Sequence, residues 1–251
     1  MIAFRVRALE ETTSTNDEVK RAIEAGEPEG LAVRALRQTG GYGRQGRTWK
    51  SPDGGLYMSL LLRPRVPMTQ LSTLSLACGV AVRRALCSLA PADVASDIQI
   101  KWPNDVLCSA GKLCGISLET HAGAVCVGIG VNVFAPREAL QVGGKNRPAY
   151  VADRAPEVTL DAAAEAILRE FAPVYDAWCA SGLAPFVGEI NENERLTGTF
   201  VQMVDISGKT LAEGVAVRVD ERGCLVLRDA DGCERPVASG EAHVAARGLS
   251  S

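Results

Sequence analysis

Residues 38–55 hold six glycines, one proline and three arginine or lysine side chains, and they lie between two apolar segments, 31–36 and 56–62. That glycine density defeats a regular helix or strand, so the segment predicts a long loop joining two strands. Structureless connections of this length are uncommon in compact chains unless they serve a function. The second apolar segment, Leu-Tyr-Met-Ser-Leu-Leu-Leu, reads as a buried strand.

Other elements follow from periodicity. Residues 4–9 alternate as a short strand. A helix is expected over 16–25, with Val19, Ala22 and Ile23 facing inward, Gly26 as its stop, and Thr15 and Glu18 spaced as a capping box. Residues 71–89 carry apolar positions at helical spacing and end before Pro91. Strands are expected at 98–101, 106–108, 113–119 and 125–133, a loop at 135–157, and an amphipathic helix at 159–180 that stops at Gly182. Beyond Asn193 short strands alternate with turns, at 199–203, 214–219, 224–227 and 235–238, which predicts a small β-barrel. The expected division is 1–190 and 191–251, an α+β unit followed by an all-β module. No internal repeat or low-complexity segment is present.

A net charge of −3 argues against a nucleic-acid-binding surface spread over the whole protein, so any anion site must be built locally. The eight cysteines show no C-x2-C pair and are joined by only two histidines, which favours buried, reduced thiols in a cytoplasmic protein and no metal site. No apolar run approaches the ~20 residues that span a bilayer, and the first seven residues are too short for a secretory signal.

Four segments and one cap could carry chemistry. In Gln38-Thr-Gly-Gly-Tyr-Gly-Arg-Gln-Gly-Arg-Thr-Trp49 the glycines free backbone N–H groups, Arg44 and Arg47 are permanent bidentate donors, and Trp49 offers a flat face. A solvated basic loop has the same composition. Lys101-Trp-Pro-Asn104-Asp105 ends a strand in a polar turn, which alone is an ordinary turn. Lys112 stands at the mouth of an apolar strand, where a solvated hairpin lysine would also stand. Glycines 128 and 130 lie inside a strand that ends with Asn132, implying close approach by a ligand or another backbone, or tight packing against a helix. Ser14-Thr15-Asn16 is explained as a helix cap.

The order of these pieces is more specific than any one of them. Ser-Thr-Asn, the glycine-arginine loop, Lys-Trp-Pro-Asn-Asp, Gly-Lys-Leu-x-Gly-Ile and Gly-Ile-Gly-Val-Asn together resemble the biotin protein ligases over residues 10–134, and Ser239-Gly240-Glu241 resembles that family's ending. The resemblance implies a mixed α/β fold related to class II synthetases, with an SH3-like C-terminal barrel. It implies activation of biotin by ATP as biotinyl-AMP and transfer to a lysine of a biotin carboxyl carrier protein. Mg²⁺ would accompany ATP, with no dedicated protein metal site.

By the same resemblance, Ser14, Thr15, Asn16, Gln38, Tyr42, Gly43 and Gly115 would line the biotin site, together with Arg44 and Lys112. Gly41, Arg44, Arg47, Trp49, Asn104 and Asn132 would face ATP and the adenylate. Lys112, Arg44, Lys101 and Asp105 would carry the chemistry, Asp105 by helping the acceptor lysine lose its proton. Many relatives carry arginine at the position of Tyr42, and often a basic residue at that of Gln45, so this loop is less basic than usual. Few residues precede Ser14, so no DNA-binding domain and no DNA partner are expected, nor a membrane partner; a monomer or a homodimer would serve. A lipoate protein ligase, which shares fold and chemistry, is the nearest rival, and a degenerate binder that only sequesters biotin is another.

Overall fold

A computed structural model describes residues 1–136, 147–205 and 207–244. Its larger sheet contains β1 (Arg5–Thr12), β2 (Leu31–Gln38), β3 (Gly55–Leu62), β4 (Gln99–Lys101), β5 (Asp105–Cys108), β6 (Gly111–His121) and β7 (Ala124–Asn132). The order across the sheet is β1-β2-β3-β7-β6-β5-β4, with β1 parallel to β2 and every other pair antiparallel.

The two faces of this sheet differ because the strands alternate differently on each side. On β3 the residues Leu56, Met58, Leu60 and Leu62, and on β7 Val125, Val127, Ile129 and Val131, face the main core. There they pack against α3 (Leu74–Leu89) and α5 (Leu160–Ser181). Thr159 caps α5 by accepting from the Ala162 N–H, and Gly182, at φ +64, ends it, as its sequence predicts. The other face holds α1 (Thr15–Glu24), whose Val19, Ala22 and Ile23 cover Leu61, Ala124 and Cys126. Short helices α2 (Met68–Leu71), α4 (Ala92–Ala95) and α6 (Val187–Glu192) complete this part. The helix expected from residue 71 thus starts at Leu74, after a separate turn.

The cap of α1 differs from expectation. Ser14, in extended conformation, accepts from the Asn16 N–H, and Thr15 is already helical. The Thr15 N–H donates to the Gln38 side chain at 2.8 Å, so the reciprocal bond to Glu18 that a capping box needs is not made. Glu18 accepts instead from the Thr12 hydroxyl.

The second sheet has strands β8 (Phe200–Val204), β9 (Thr210–Val219), β10 (Leu225–Arg228), β11 (Glu234–Val237) and β12 (Glu241–Val244), in the order β11-β10-β9-β8-β12. All pairs are antiparallel, and β11 and β12 are its two edges, so hydrogen bonding among the described residues does not close the expected barrel. Its Val201, Met203, Leu225 and Leu227 join the main core. Two further ties bind the parts together. The buried Trp102 indole donates to the Gly223 carbonyl at 2.9 Å, and the buried Glu194 carboxylate accepts from the Trp102 and Leu196 amides. Burial raises the pKa of Glu194, opposed by those amide donors.

Candidate active site

Helix α1 covers only part of its face of the sheet. Beyond its first turn, β7 continues as Gly128, Gly130 and Asn132, and β6 runs opposite with Ser117 and Gly115, paired to Gly128 and Gly130. These small residues floor a cleft of about 1570 Å³, larger than the ~300–1,000 Å³ usual for one small molecule. A Cβ at Gly128 would lie 2.5 Å from both the Asn16 and Ser117 side chains. One at Gly130 would lie 2.8 Å from the Trp49 indole, which also rests on Gly115. Gly128 thus packs against Asn16 of α1, as the helix-packing reading of these glycines expects, whereas Gly130 packs against an indole from the loop.

One end of the cleft is uncharged and closely hydrogen-bonded. The Gln38 carbonyl accepts from the Thr15 N–H and lies 3.1 Å from its hydroxyl, while the Gln38 amide donates to Ser51. Ser59 lies 2.7 Å from the Thr15 hydroxyl and donates to the Asn16 carbonyl. Ser14, Thr15 and Asn16 are all buried, so each group is preset, at a desolvation cost that these bonds offset.

The other end gathers charge. Lys112 and Asp105 form an ion pair at 2.7 Å, with 19% and 13% of their side chains exposed. The solvated hairpin lysine that the sequence left open is therefore excluded. A bulge in β6 at Leu113 skips one residue of the β5 pairing, so Lys112 and Gly115 face the cleft while Leu113 enters the core. The Lys112 main chain is held by Arg147, Ala149 and the Asn132 side chain. Gly111, at φ +146, admits that approach: a Cβ there would lie 2.1 Å from the Arg147 carbonyl. Lys112 Nζ also sits 5.1 Å from the centre of the Trp49 ring.

Arg44 donates to Asn104 at 3.0 Å, and Asn104 is anchored to both backbone groups of Ile116. Burial pushes the Arg44 pKa down and Asp105 pulls it back, but a guanidinium stays charged. Burial likewise lowers the Lys101 pKa, with Asp105 opposing and Lys112 adding to the effect. Three cations thus converge around one carboxylate in a protein of net negative charge.

The glycine-arginine loop roofs the cleft as a small hairpin: Tyr42 bridges Thr48, Gly43 N donates to Arg47 O, and Trp49 N donates to Gly41 O. Gly41 fits closely, since a Cβ would lie 2.5 Å from Ser51. Arg47 forms a bidentate pair with Glu241 of β12 at the cleft's rim, one contact at 3.0 Å. Ser239, Gly240, Glu241 and Asp205 of the second sheet supply the remaining wall.

All the residues singled out in the sequence line this cleft except Gly41, which sits at the base of its roof. Sequence reasoning missed Ser51, Ser59, Ser117, Glu119, Lys20 and Glu241's pairing. Ser59 had a signal, as the one serine in an otherwise largely apolar strand segment; so did Ser117 and Glu119, at two-residue spacing from Gly115. Among the described residues no group of three histidine, cysteine or carboxylate side chains is placed to hold a metal, and the cleft's Asp105 and Glu241 are each engaged by a cation. No helix among them is long and apolar enough to cross a membrane.

Comparison with known proteins agrees with this architecture. The solved biotin protein ligase from Aquifex aeolicus in complex with biotin and ATP superposes with a TM-score of 0.82 at 27% identity, covering 96% of this chain and 98% of that one. The biotin--[acetyl-CoA-carboxylase] ligase of Paracoccus denitrificans is 33% identical over 240 residues, covering 88% of this chain and 92% of that protein. The bifunctional ligase/repressor BirA of Bacillus spizizenii is 31% identical over 83% of this chain, which spans 64% of that protein. Residues 8–133, which contribute most of the cleft, match the model of one family, and by that match and these relatives the chain belongs to the biotin/lipoate A/B protein ligase family.

Proposed function

We propose that this protein is a biotin protein ligase: it joins biotin to ATP as biotinyl-5′-AMP, then transfers the biotin to a lysine of a biotin carboxyl carrier protein. The observation that carries this reading is the cleft's polarity, an uncharged hydrogen-bonding end at Thr15 and Gln38 beside a charged end at Arg44, Lys101 and Lys112. The first end suits the ureido ring. The second suits a carboxylate and a triphosphate.

In the first step a carboxylate oxygen attacks the α-phosphorus and pyrophosphate leaves. Lys112 and Arg44 would reduce the repulsion between the two anions and stabilise charge on the phosphoryl oxygens. Magnesium would arrive on the ATP phosphates and supply further charge neutralisation. Trp49, Asn104, Asn132 and Arg47 are assigned to the nucleotide, and Ser14, Asn16, Gly43 and Gly115 to biotin.

In the second step the acceptor amine attacks the carbonyl and AMP leaves. Lys112, drawn to the anions, would release Asp105 to accept a proton from that amine. The roof loop would exclude water, the competing nucleophile. We assign the ligase chemistry to residues 1–190 and closure of the cleft wall to 191–251. The free cysteines fit a reducing compartment, and the cytoplasm is the proposed location.

The test is incubation of the protein with biotin, MgATP and a biotin carrier domain, read by streptavidin. Labelled carrier supports the ligase. Biotin binding without ATP–pyrophosphate exchange would overturn it in favour of a binder, and exchange with lipoate in place of biotin would move it to the sister activity.

A further inference from the structure

The roof loop is fastened to helix α1 by a cluster centred on Tyr42. The Tyr42 hydroxyl donates to Asp17 at 2.7 Å and accepts from Lys20 at 2.9 Å. Asp17 and Lys20 are one helical turn apart, so both reach one hydroxyl. Lys20 also pairs with Glu119 of β6 at 2.6 Å. The second Glu119 oxygen accepts from the Asn16 amide at 2.9 Å. The chain of contacts therefore runs unbroken from the loop to the uncharged end of the cleft.

The loop's other ties among the described residues include Arg44 on Asn104 and the Gly40 N–H on the Thr13 carbonyl. A hollow of about 380 Å³ lies between loop residues 42–46 and Leu118–Glu119, so close packing does not decide where the hairpin rests. Its far side is held by Arg47 on Glu241, an exposed pair of the kind that contributes little. Burial pushes the Tyr42 pKa up to about 12, so its hydroxyl keeps the proton that Asp17 receives. Lys20, disfavoured by burial, is held charged by Glu119 and Tyr42, above the usual lysine range.

We propose that Tyr42 is a positioning residue: clamped between Asp17 and Lys20, it sets the hairpin that carries Arg44 over the acid-binding end of the cleft, and Lys20, Glu119 and Asn16 couple that setting to the ring site. The proposal rests on the ligase reading. It assigns that setting to a neutral hydroxyl backed by charges on α1. The arrangement is specific in charge: an arginine at position 42 would bring its guanidinium against the Lys20 ammonium.

The test is biotin-dependent ATP–pyrophosphate exchange, with released adenylate counted, for the wild type, Tyr42→Phe, Lys20→Met and the double variant. Tyr42→Phe should raise KM for biotin about tenfold, lower kcat far less, and increase adenylate release. The double variant should be no worse than the poorer single one, because both break the same clamp. Tyr42→Arg should be impaired alone and regain a near wild-type KM when combined with Lys20→Met, its guanidinium then facing Asp17 and Glu119. A purely structural role would instead lower thermal stability and kcat together without moving KM. Unchanged KM and release in Tyr42→Phe, additive losses in the double variant, or no recovery in the arginine pair would each overturn the proposal. A wild type without exchange would overturn the ligase reading itself, and the inference with it, so the two failures are told apart.

Discussion

The two faces of the seven-stranded sheet are built from the same strands for opposite purposes. On β7, Val127, Ile129 and Val131 point into a core closed by α3 and α5, while Gly128, Gly130 and Asn132 point into the cleft. On β3, Leu60 faces that core and its neighbour Ser59 faces Thr15 and Asn16. Burial of branched apolar side chains on one face stabilises the sheet. The other face can therefore be stripped to glycines and buried hydroxyls, which bury little apolar surface but leave room for the cleft. Stability and chemistry are separated by one residue along a strand.

The sharpest break of this comparison is Lys112→Ala, on the cleft face. It should lower kcat for biotin-dependent exchange about a thousandfold, ~4 kcal/mol of transition-state stabilisation. Because it strands Asp105, a companion Lys112→Ala/Asp105→Asn should keep a near wild-type melting temperature while staying inactive. Substantial exchange by either variant would refute the division. On the opposite face, Leu60→Ala should cost ~2–5 kcal/mol in urea unfolding and leave the activity of the folded fraction intact. A loss of kcat without a loss of stability would show that the faces are not independent.

Gly130→Ala sharpens the same point at smaller scale. Its Cβ would meet the Trp49 indole at 2.8 Å, and relieving such crowding costs ~1–3 kcal/mol. The indole must shift, so KM for ATP should rise about tenfold. An unchanged KM would remove Trp49 from the nucleotide site.

The smallest effect lies at the roof's far edge. The Arg47 hydrogen bond pulls the Glu241 pKa from its ordinary 4.5 to about 2. A depressed carboxylate stabilises above its ordinary pKa and loses that contribution as pH falls towards the depressed value. Protease cleavage within residues 38–55 should therefore increase in the wild type between pH 4.5 and 2, whereas Glu241→Gln should be cleaved readily throughout. The pair is exposed, so the difference should stay within ~1 kcal/mol.

Much of the architecture was legible in the sequence because it rests on local rules. The amphipathic helix ending at Gly182 and the glycine-dense loop between two apolar strands both follow from periodicity and backbone freedom. The capping box expected at Thr15 and Glu18 is not made, because Gln38, 23 positions away, takes the Thr15 N–H. Strand β12 went unrecognised because Glu241–Val244 is short and ordered by pairing with β8.

By itself, then, the sequence determined most of the elements, the apolar and polar faces of its longer strands, and the order of motifs along the chain, all of which depend on near neighbours. The tertiary structure alone decided which motifs meet. The β6 bulge aims Lys112 at Asp105, Arg47 crosses 194 positions to reach Glu241, and Lys20 reaches Glu119 beside Tyr42. Such contacts depend on sheet register and on the packing of distant elements, and a side chain's type does not specify the partner brought to it by the fold.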